Sequence, residues 1–282
     1  MAVNGRMIAD AQAHLWKAES PDWPWVPGRK PQLPEPFTIE KLLPLMDEAG
    51  VDRVVIVPPS WPGDRNDYAL EAAKRYPNRF AVMGRLPLET PKESAALLPK
   101  WKEQPGMVGV RLTFQAGMMK LLTEGHADWF WPLAEKYALP VMFFAPGNIP
   151  KFAPIAERHP GLPMIIDHMS LNQEIAAERK IREAIDEVVK LAKYPNVSVK
   201  ISSAPTYSFD PYPWPDMTEH LKRCFDAFGP KRSYWGTDIT NAFNKSTYRQ
   251  RITHFTEELK FMSSDDLDWV MGKAILATLK WK

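Results

Sequence analysis

Eight short apolar segments, rich in β-branched residues, alternate along the chain with longer stretches that have the hydrophobic spacing of amphipathic helices. Strands that alternate with helices of about 10–15 residues indicate a parallel sheet covered by helices. Eight such units close into a barrel more readily than they spread into an open sheet. The predicted strands are residues 7–12, 53–57, 80–85, 108–113, 140–144, 163–167, 197–202 and 233–238.

The predicted helices lie between these strands and after the last one. They are residues 39–49, 67–75, 92–102, 128–137, 149–158, 180–193, 217–228, 248–260 and 265–279. A (β/α)₈ barrel typically needs roughly 250 residues, so one such barrel would use nearly all of the 282 residues. We therefore expect a single α/β domain over residues 1–282, a (β/α)8 TIM barrel. A doubly wound open sheet is the alternative, but no glycine-rich nucleotide motif follows the first strand.

Composition excludes several classes of function. Hydrophobic residues make up 45% of the chain, yet no apolar run approaches the roughly 20 residues that span a bilayer. The first seven residues lack the apolar stretch of a signal peptide, and the single cysteine, Cys224, predicts a reducing cytoplasm. The net charge is +2 with dispersed basic residues, so we expect neither a nucleic-acid nor a membrane partner. The sequence leaves open whether the chain forms a homo-oligomer.

Polar residues end the first, sixth and eighth predicted strands. Asp10, Gln12 and His14 alternate along the first strand, and alternation predicts that they share the face toward the barrel interior. His168 follows the sixth strand and Asp238 ends the eighth. Taken singly, such an aspartate is often a helix cap and such a histidine is usually structural. Because active sites of these barrels lie at the carboxyl ends of the strands, the joint pattern predicts a site for a small molecule.

Several segments, in this order, resemble the amidohydrolase superfamily, and most closely its branch of sugar-acid and 2-pyrone-4,6-dicarboxylate lactonases. They are residues 8–16 (IADAQAHLW), 165–169 (IIDHM), 199–202 (VKIS), 235–238 (WGTD) and 271–274 (MGKA), the last standing where relatives usually have Gly-Asn-Ala. The resemblance spans nearly the whole chain. It implies an amidohydrolase-like barrel and a catabolic hydrolase.

The chain departs from the superfamily in its metal ligands. The first-strand signature is His-x-His in the superfamily, and here it reads Gln12-Ala13-His14. A neutral amide is a poor ligand for a divalent transition metal, and the fifth strand offers no ligand. We therefore expect no tightly bound cofactor. The alternative is a divalent metal, zinc or manganese, held by His14, His168 and Asp238.

Without a metal, the carboxylate of Asp238 must act as the general base. Such assistance contributes about 10²–10⁴-fold, which suits a strained lactone better than an unactivated amide. We expect a hydrolase that opens a small carboxylated or aromatic-derived lactone. His14 and His168, with the amide of Gln12, would stabilise the developing oxyanion.

Four residues are predicted to bind the substrate: Gln12, Arg111, Lys200 and Tyr207. Arg111 resembles the position that binds a substrate carboxylate in dicarboxylate lactonases. The alternative role for Arg111 is a structural ion pair at the bottom of the barrel. Lys200 is predicted either as a second anion contact or as a structural partner of Asp167. Two other functions stay open. One is a metal-dependent decarboxylase or hydrolase of an aromatic acid, and the other is a catalytically inactive ligand-binding barrel.

Overall fold

The computed structural model describes residues 5–282. Residues 1–4, which belong to the segment considered above for a signal peptide, lie outside the described residues. Eight parallel strands form one sheet in the order β1 to β8, each paired with the next in sequence. The strands are β1 (Ala9–Ala13), β2 (Arg53–Ile56), β3 (Phe80–Arg85), β4 (Met107–Thr113), β5 (Val141–Phe144), β6 (Met164–Ile166), β7 (Val197–Lys200) and β8 (Ser233–Tyr234). The predicted barrel is confirmed.

Helices connect the strands and follow the last one. They are α1 (Ile39–Ala49), α2 (Asp67–Arg75), α3 (Pro91–Leu97), α4 (Met119–Thr123), α5 (Phe130–Lys136), α6 (Ala153–Arg158), α7 (Gln173–Ala177), α8 (Ile181–Lys190), α9 (Ala204–Tyr207), α10 (Pro215–Phe228), α11 (Tyr248–Thr253), α12 (Ser264–Asp268) and α13 (Ala274–Leu279). Within residues 5–282, none of these helices has the length and apolarity needed to cross a membrane.

Main-chain hydrogen bonds close the barrel between its last and first strands. The amide of Ala11 donates to the carbonyl oxygen of Trp235 at 3.2 Å, and the amide of Asp238 donates to the carbonyl oxygen of Gln12 at 2.9 Å. Gly236 lies at this seam, where a Cβ would come 3.3 Å from the Cβ of Ala11. The seam therefore places the end of β1 directly beside the loop that follows β8.

The polar residues that follow β6, β7 and β8 lie on turns and not within the strands. β6, β7 and β8 end at Ile166, Lys200 and Tyr234, earlier than the sequence predicts. His168, Ser203 and Asp238 have φ values of 51°, 62° and 47°, in the left-handed region. This region is unfavourable for residues other than glycine and often marks functional sites. These polar residues therefore belong to the loops that follow the strands.

Two helices predicted as continuous are divided by π-helical turns. Residues 248–260 contain α11 and then the turn His254–Glu258, and residues 265–279 contain α12, the turn Trp269–Lys273 and α13. Gly272 in the second turn lies so close to β1 that a Cβ would come within 2.7 Å of the carbonyl oxygen of Met7. At this π-helical turn, the main chain of Gly272 therefore packs directly against the main chain at the start of β1.

Apolar side chains fill the barrel beneath the site. They form a cluster with α13, which contacts both β1 and β8. Leu279 of α13 is 5% exposed, and Trp281 just beyond it stacks on Arg53 at the start of β2. The larger apolar cluster includes strand and helix residues from most of the chain. The strand residues of the smaller cluster are Ala9, Ala11, Val55, Val57, Met83, Met142, Ile165 and Tyr234.

Candidate active site

A cavity of about 390 Å³ opens at the carboxyl ends of the strands. Six of the seven predicted site residues line it, and they come from β1 and the residue after it, from β4, and from the segments after β6, β7 and β8. These six are Gln12, His14, Arg111, His168, Tyr207 and Asp238. The barrel therefore brings together residues that lie up to 226 positions apart in sequence (238 − 12).

His14 is held in one orientation by the main chain. Its Nδ1 lies 2.6 Å from the carbonyl oxygen of Val57, which can only accept, so Nδ1 carries a hydrogen. Its Nε2 lies 3.2 Å from Oδ1 of Asp238. Nε2 of His14 and the carboxyl group of Asp238 therefore lie within hydrogen-bonding distance of each other.

Asp238 is the buried carboxyl group of the cavity. Burial alone would raise its pKa, but the interaction with His14 lowers the pKa of Asp238 below its ordinary value. Its Oδ2 lies 3.7 Å from Nε2 of His168. The carboxyl group is therefore ionised at neutral pH and flanked by both imidazoles.

His168 begins a left-handed turn after β6. His168, Met169 and Ser170 have φ values of 51°, 54° and 53°. Burial lowers the pKa of His168 to about 4, against the opposing charges of Asp238 and Asp167. The ring is therefore neutral at physiological pH.

A buried ion-pair network lies behind the cavity. The ammonium of Lys200 is 2.8 Å from Oδ1 of Asp167 and donates to Oε1 of Gln12 at 2.7 Å. Arg111 donates from Nε to Oδ2 of Asp167 at 3.1 Å. Burial would raise the pKa of Asp167, but the charges of Lys200 and Arg111 lower it. Asp167 is therefore an anion that holds two cations.

The positions of Lys200 and Arg111 in this network distinguish between the alternative roles that the sequence leaves open for each residue. Lys200 is fully buried and does not line the cavity, so its ammonium is the structural partner of Asp167 and makes no direct contact with the cavity. Arg111 does line the cavity, and its ion pair lies at the carboxyl ends of the strands and not at the barrel bottom.

The network also orients the amide of Gln12. An ammonium group can only donate, so the atom of Gln12 that faces Lys200 is the carbonyl oxygen. The amide nitrogen then faces His14, at 3.5 Å from its Nε2. Gln12 consequently presents N–H groups to the cavity.

The prediction that Asp10 shares the interior face with Gln12 and His14 is wrong. The pairing register of β1 shifts between Asp10 and Ala13. Such a bulge changes which residues share a face. Asp10 accepts hydrogen bonds from the amide of Thr237 at 2.8 Å and the hydroxyl of Tyr248 at 2.6 Å, and it does not line the cavity. Its carboxylate instead ties β1 to the segment after β8.

Arg251 supports the loop that carries Asp238, although no sequence pattern indicates it. From α11 its guanidinium donates to the carbonyl oxygens of Thr237, at 2.6 Å, and of Asn241 and Ala242, both at 3.0 Å.

The cavity-lining residues that were not predicted from the sequence mostly have amide or hydroxyl side chains and lie outside the strands. They include Gln32, Ser60, Gln115, Asn172, Thr206 and Asn241.

The aromatic, proline-rich segment 21–36 contributes to the cavity through one residue. Gln32 lines the cavity, and its side-chain oxygen accepts a hydrogen bond from the hydroxyl of Thr240. Trp23 is buried elsewhere, with its ring 6.3 Å from that of Tyr68 in α2. The tryptophan that does line the cavity is Trp61, in the loop after β2.

The donor set fits a divalent metal poorly. Across residues 5–282, no group of three or more His, Cys, Asp or Glu side chains has an arrangement suited to a metal ion. Gln12 turns its N–H groups toward His14, and its oxygen is already bonded to the Lys200 ammonium. A metal ion needs lone pairs, and this wall of the cavity offers N–H donors.

The sequence profile described as amidohydrolase matches residues 9–280. The fold and the cavity at the strand ends define a barrel enzyme of that class. The chain belongs to the amidohydrolase family.

Similar proteins include a lactonase, a zinc-containing amidohydrolase and a protein named as a dicarboxylic acid hydrolase. The L-fucono-1,5-lactonase of Burkholderia ambifaria is 27% identical over 241 residues, which cover 81% of this chain and 79% of the relative. A Burkholderia multivorans amidohydrolase crystallised with bound zinc has a TM-score of 0.81 and 17% identity, covering 97% of this chain and 99% of its own. A Pseudomonas putida protein that bears the name 2-pyrone-4,6-dicarboxylic acid hydrolase has a TM-score of 0.80 and 20% identity, covering 98% of both chains.

Replacing Lys200 tests the buried network. In Lys200→Met, Asp167 loses one of its two cations and Gln12 loses its donor. Removing one partner of a buried ion pair costs about 3–5 kcal/mol, so we expect a fall of that size in the free energy of unfolding, measured by chemical denaturation. The matched control is Lys190→Met, which breaks an exposed pair with Glu187 and should cost about 1 kcal/mol or less. Equal losses in the two variants would refute the structural role of Lys200.

Proposed function

We propose that this protein is a hydrolase that opens a small lactone, with Asp238 as the general base and no tightly bound metal. The observation that carries the proposal is the meeting of His14, His168 and Asp238 in one cavity, with Nε2–carboxylate distances of 3.2 and 3.7 Å. Relatives whose names are L-fucono-1,5-lactonase and 2-pyrone-4,6-dicarboxylic acid hydrolase support the reaction class.

In the proposed reaction, the carboxylate of Asp238 takes a proton from a water molecule. The resulting hydroxide adds to the lactone carbonyl carbon and the carbonyl oxygen becomes an oxyanion. N–H groups of His168 and Gln12 donate to that oxygen, whereas Nδ1–H of His14 is already hydrogen-bonded to the carbonyl oxygen of Val57. The bond between the former carbonyl carbon and the ring oxygen then breaks, and Asp238 returns the proton to the departing oxygen.

The lowered pKa of Asp238 favours an activated substrate. A carboxylate with a low pKa is ionised at neutral pH, so no base is lost to protonation. It is also a weak base, and general-base assistance contributes only about 10²–10⁴-fold. A strained lactone, whose ring oxygen leaves readily, matches this limited assistance better than an amide.

Substrate binding is proposed to involve Arg111 and Tyr207, which both line the cavity. A guanidinium suits a substrate carboxylate because its nitrogens can donate in pairs. We propose that Lys200 acts on the substrate only by holding Gln12 and Asp167 in place. The buried, free Cys224 accords with the proposed cytoplasmic location.

A metal-dependent hydrolase or decarboxylase of an aromatic acid is the second candidate. The bound zinc of the Burkholderia multivorans amidohydrolase favours it. The amide of Gln12 and its bond to Lys200 favour the metal-independent reaction.

The variant Asp238→Asn tests the role of the base. We expect kcat on a panel of small lactones to fall about 10²–10⁴-fold, because an amide cannot take the proton from water. The control is Asp226→Asn, which changes an exposed carboxylate on α10 and should leave kcat unchanged. If the wild-type chain binds lactones but turns none over, the inactive ligand-binding barrel is the correct alternative.

The variant Arg111→Met tests recognition of a carboxylate. We expect KM to rise about 10- to 100-fold for carboxylated lactones, the loss of a charge-assisted contact of about 1.5–3 kcal/mol. KM for uncharged lactones of similar size should change little, which makes them the internal control. A similar rise for both groups of substrate would show that Arg111 acts only through Asp167.

Metal removal tests the proposed absence of a cofactor. We expect elemental analysis of the purified protein to find zinc and manganese well below one ion per chain, and chelator treatment to leave the rate of lactone opening unchanged. One ion per chain, with activity lost on chelation and restored by zinc or manganese, would instead support the metal-dependent candidate.

A further inference from the structure

Two serine hydroxyls converge on one ring nitrogen of His168. Nδ1 lies 2.8 Å from Oγ of Ser202 and 2.9 Å from Oγ of Ser203. The three residues are 4%, 1% and 2% exposed, so water has little access to these hydrogen bonds. Ser203 reaches the ring from a left-handed backbone position with φ 62°. Both serines follow β7, and the histidine follows β6.

The hydroxyl hydrogens identify which ring nitrogen is protonated. Each hydroxyl has one hydrogen to donate, and a buried donor without an acceptor is unfavourable. Over residues 5–282, the structure gives neither hydroxyl another hydrogen-bond partner. At least one hydroxyl must therefore donate to Nδ1, which can accept only when it carries no hydrogen. The ring proton then lies on Nε2.

The groups that face Nε2 favour the same tautomer. Nε2 lies 3.7 Å from Oδ2 of Asp238, and His168 lines the cavity. An N–H at this position points toward an acceptor. In the opposite tautomer, a lone pair would face the carboxylate and both serine hydroxyls would lose their acceptor.

We propose that Ser202 and Ser203 are positioning residues that hold His168 as the Nε2–H tautomer and so present a hydrogen-bond donor to the cavity. The catalytic part of this inference rests on the proposed lactone hydrolysis, whereas the tautomer does not. His168 then stabilises the oxyanion as a neutral donor and does not serve as a base.

The two histidines of the cavity consequently have opposite tautomers. Val57 accepts from His14 and requires its hydrogen on Nδ1, whereas the serines donate to His168 and place its hydrogen on Nε2. His168 therefore offers an N–H group to the cavity, whereas Nδ1–H of His14 points to the main chain. This division assigns the oxyanion contact to His168.

Nuclear magnetic resonance of ring-¹⁵N-labelled histidine tests the tautomer directly. The chain has six histidines, and His168→Gln assigns the signals of His168 by their loss. In the unmodified protein we expect Nδ1 with the shift of a nitrogen without hydrogen and Nε2 with that of a protonated nitrogen. The opposite pattern would overturn the proposal without any variant of the serines.

The double variant Ser202→Ala/Ser203→Ala tests the cause. With both donors removed, we expect the His168 signals to move toward a mixture of tautomers, and kcat to fall about tenfold with little change in KM. Full loss of an oxyanion donor costs more, about 10²–10³-fold. The control is Ser198→Ala, a buried serine within β7 that accepts from Tyr234 at the other end of the barrel. It should move neither the His168 signals nor kcat.

The outcomes separate this inference from the proposed function. Unchanged His168 signals in the double variant would overturn the positioning role. If the signals shift as expected but the unmodified protein opens no lactone, the positioning role stands and the proposed reaction fails.

Discussion

The site depends on the closure of the barrel between its first and last strands. The hydrogen bonds across the seam join Ala11 to Trp235 and Gln12 to Asp238. Because Gln12 and Asp238 are linked through their main chains, the side chains of β1 and of the loop after β8 must share one cavity. Asp10 strengthens the seam by accepting from Thr237 and Tyr248. The 3.2 Å approach of His14 Nε2 to Asp238 is a consequence of this closure.

A buried network of charged side chains orients the amide of Gln12 at the cavity wall. Asp167 holds Lys200 and Arg111, and Lys200 in turn fixes the amide of Gln12. Buried charges are stable only when they are paired and hydrogen-bonded, and each charge of this network has such a partner. The fixed ammonium also turns N–H groups toward the cavity, where a metal-binding relative would need a lone pair. The buried residues Asp167 and Lys200 therefore determine which hydrogen-bonding groups of Gln12 face the cavity.

The chain's patterns were sufficient to predict the eight strands, their order and six of the residues that line the cavity. Short buried strands and amphipathic helices differ in hydrophobic period, so they can be recognised locally. The same reasoning misplaced Asp10, because alternation assumes a regular strand and β1 contains a shift of register. It also missed Arg251 and the amides of the rim, which come from helices and loops whose positions no local pattern encodes.

The amino-acid sequence by itself determined the barrel, the family and the chemical types at the strand ends, because hydrophobic period and motif order are properties of the linear chain. Only the tertiary structure decided what each group does there. It showed that Lys200 faces Asp167 and Gln12 and not the cavity. It also showed that Val57 and two serines fix the histidines in different tautomers. Hydrogen-bond direction depends on which donor meets which acceptor in space, and such partners lie 33 to 188 residues apart.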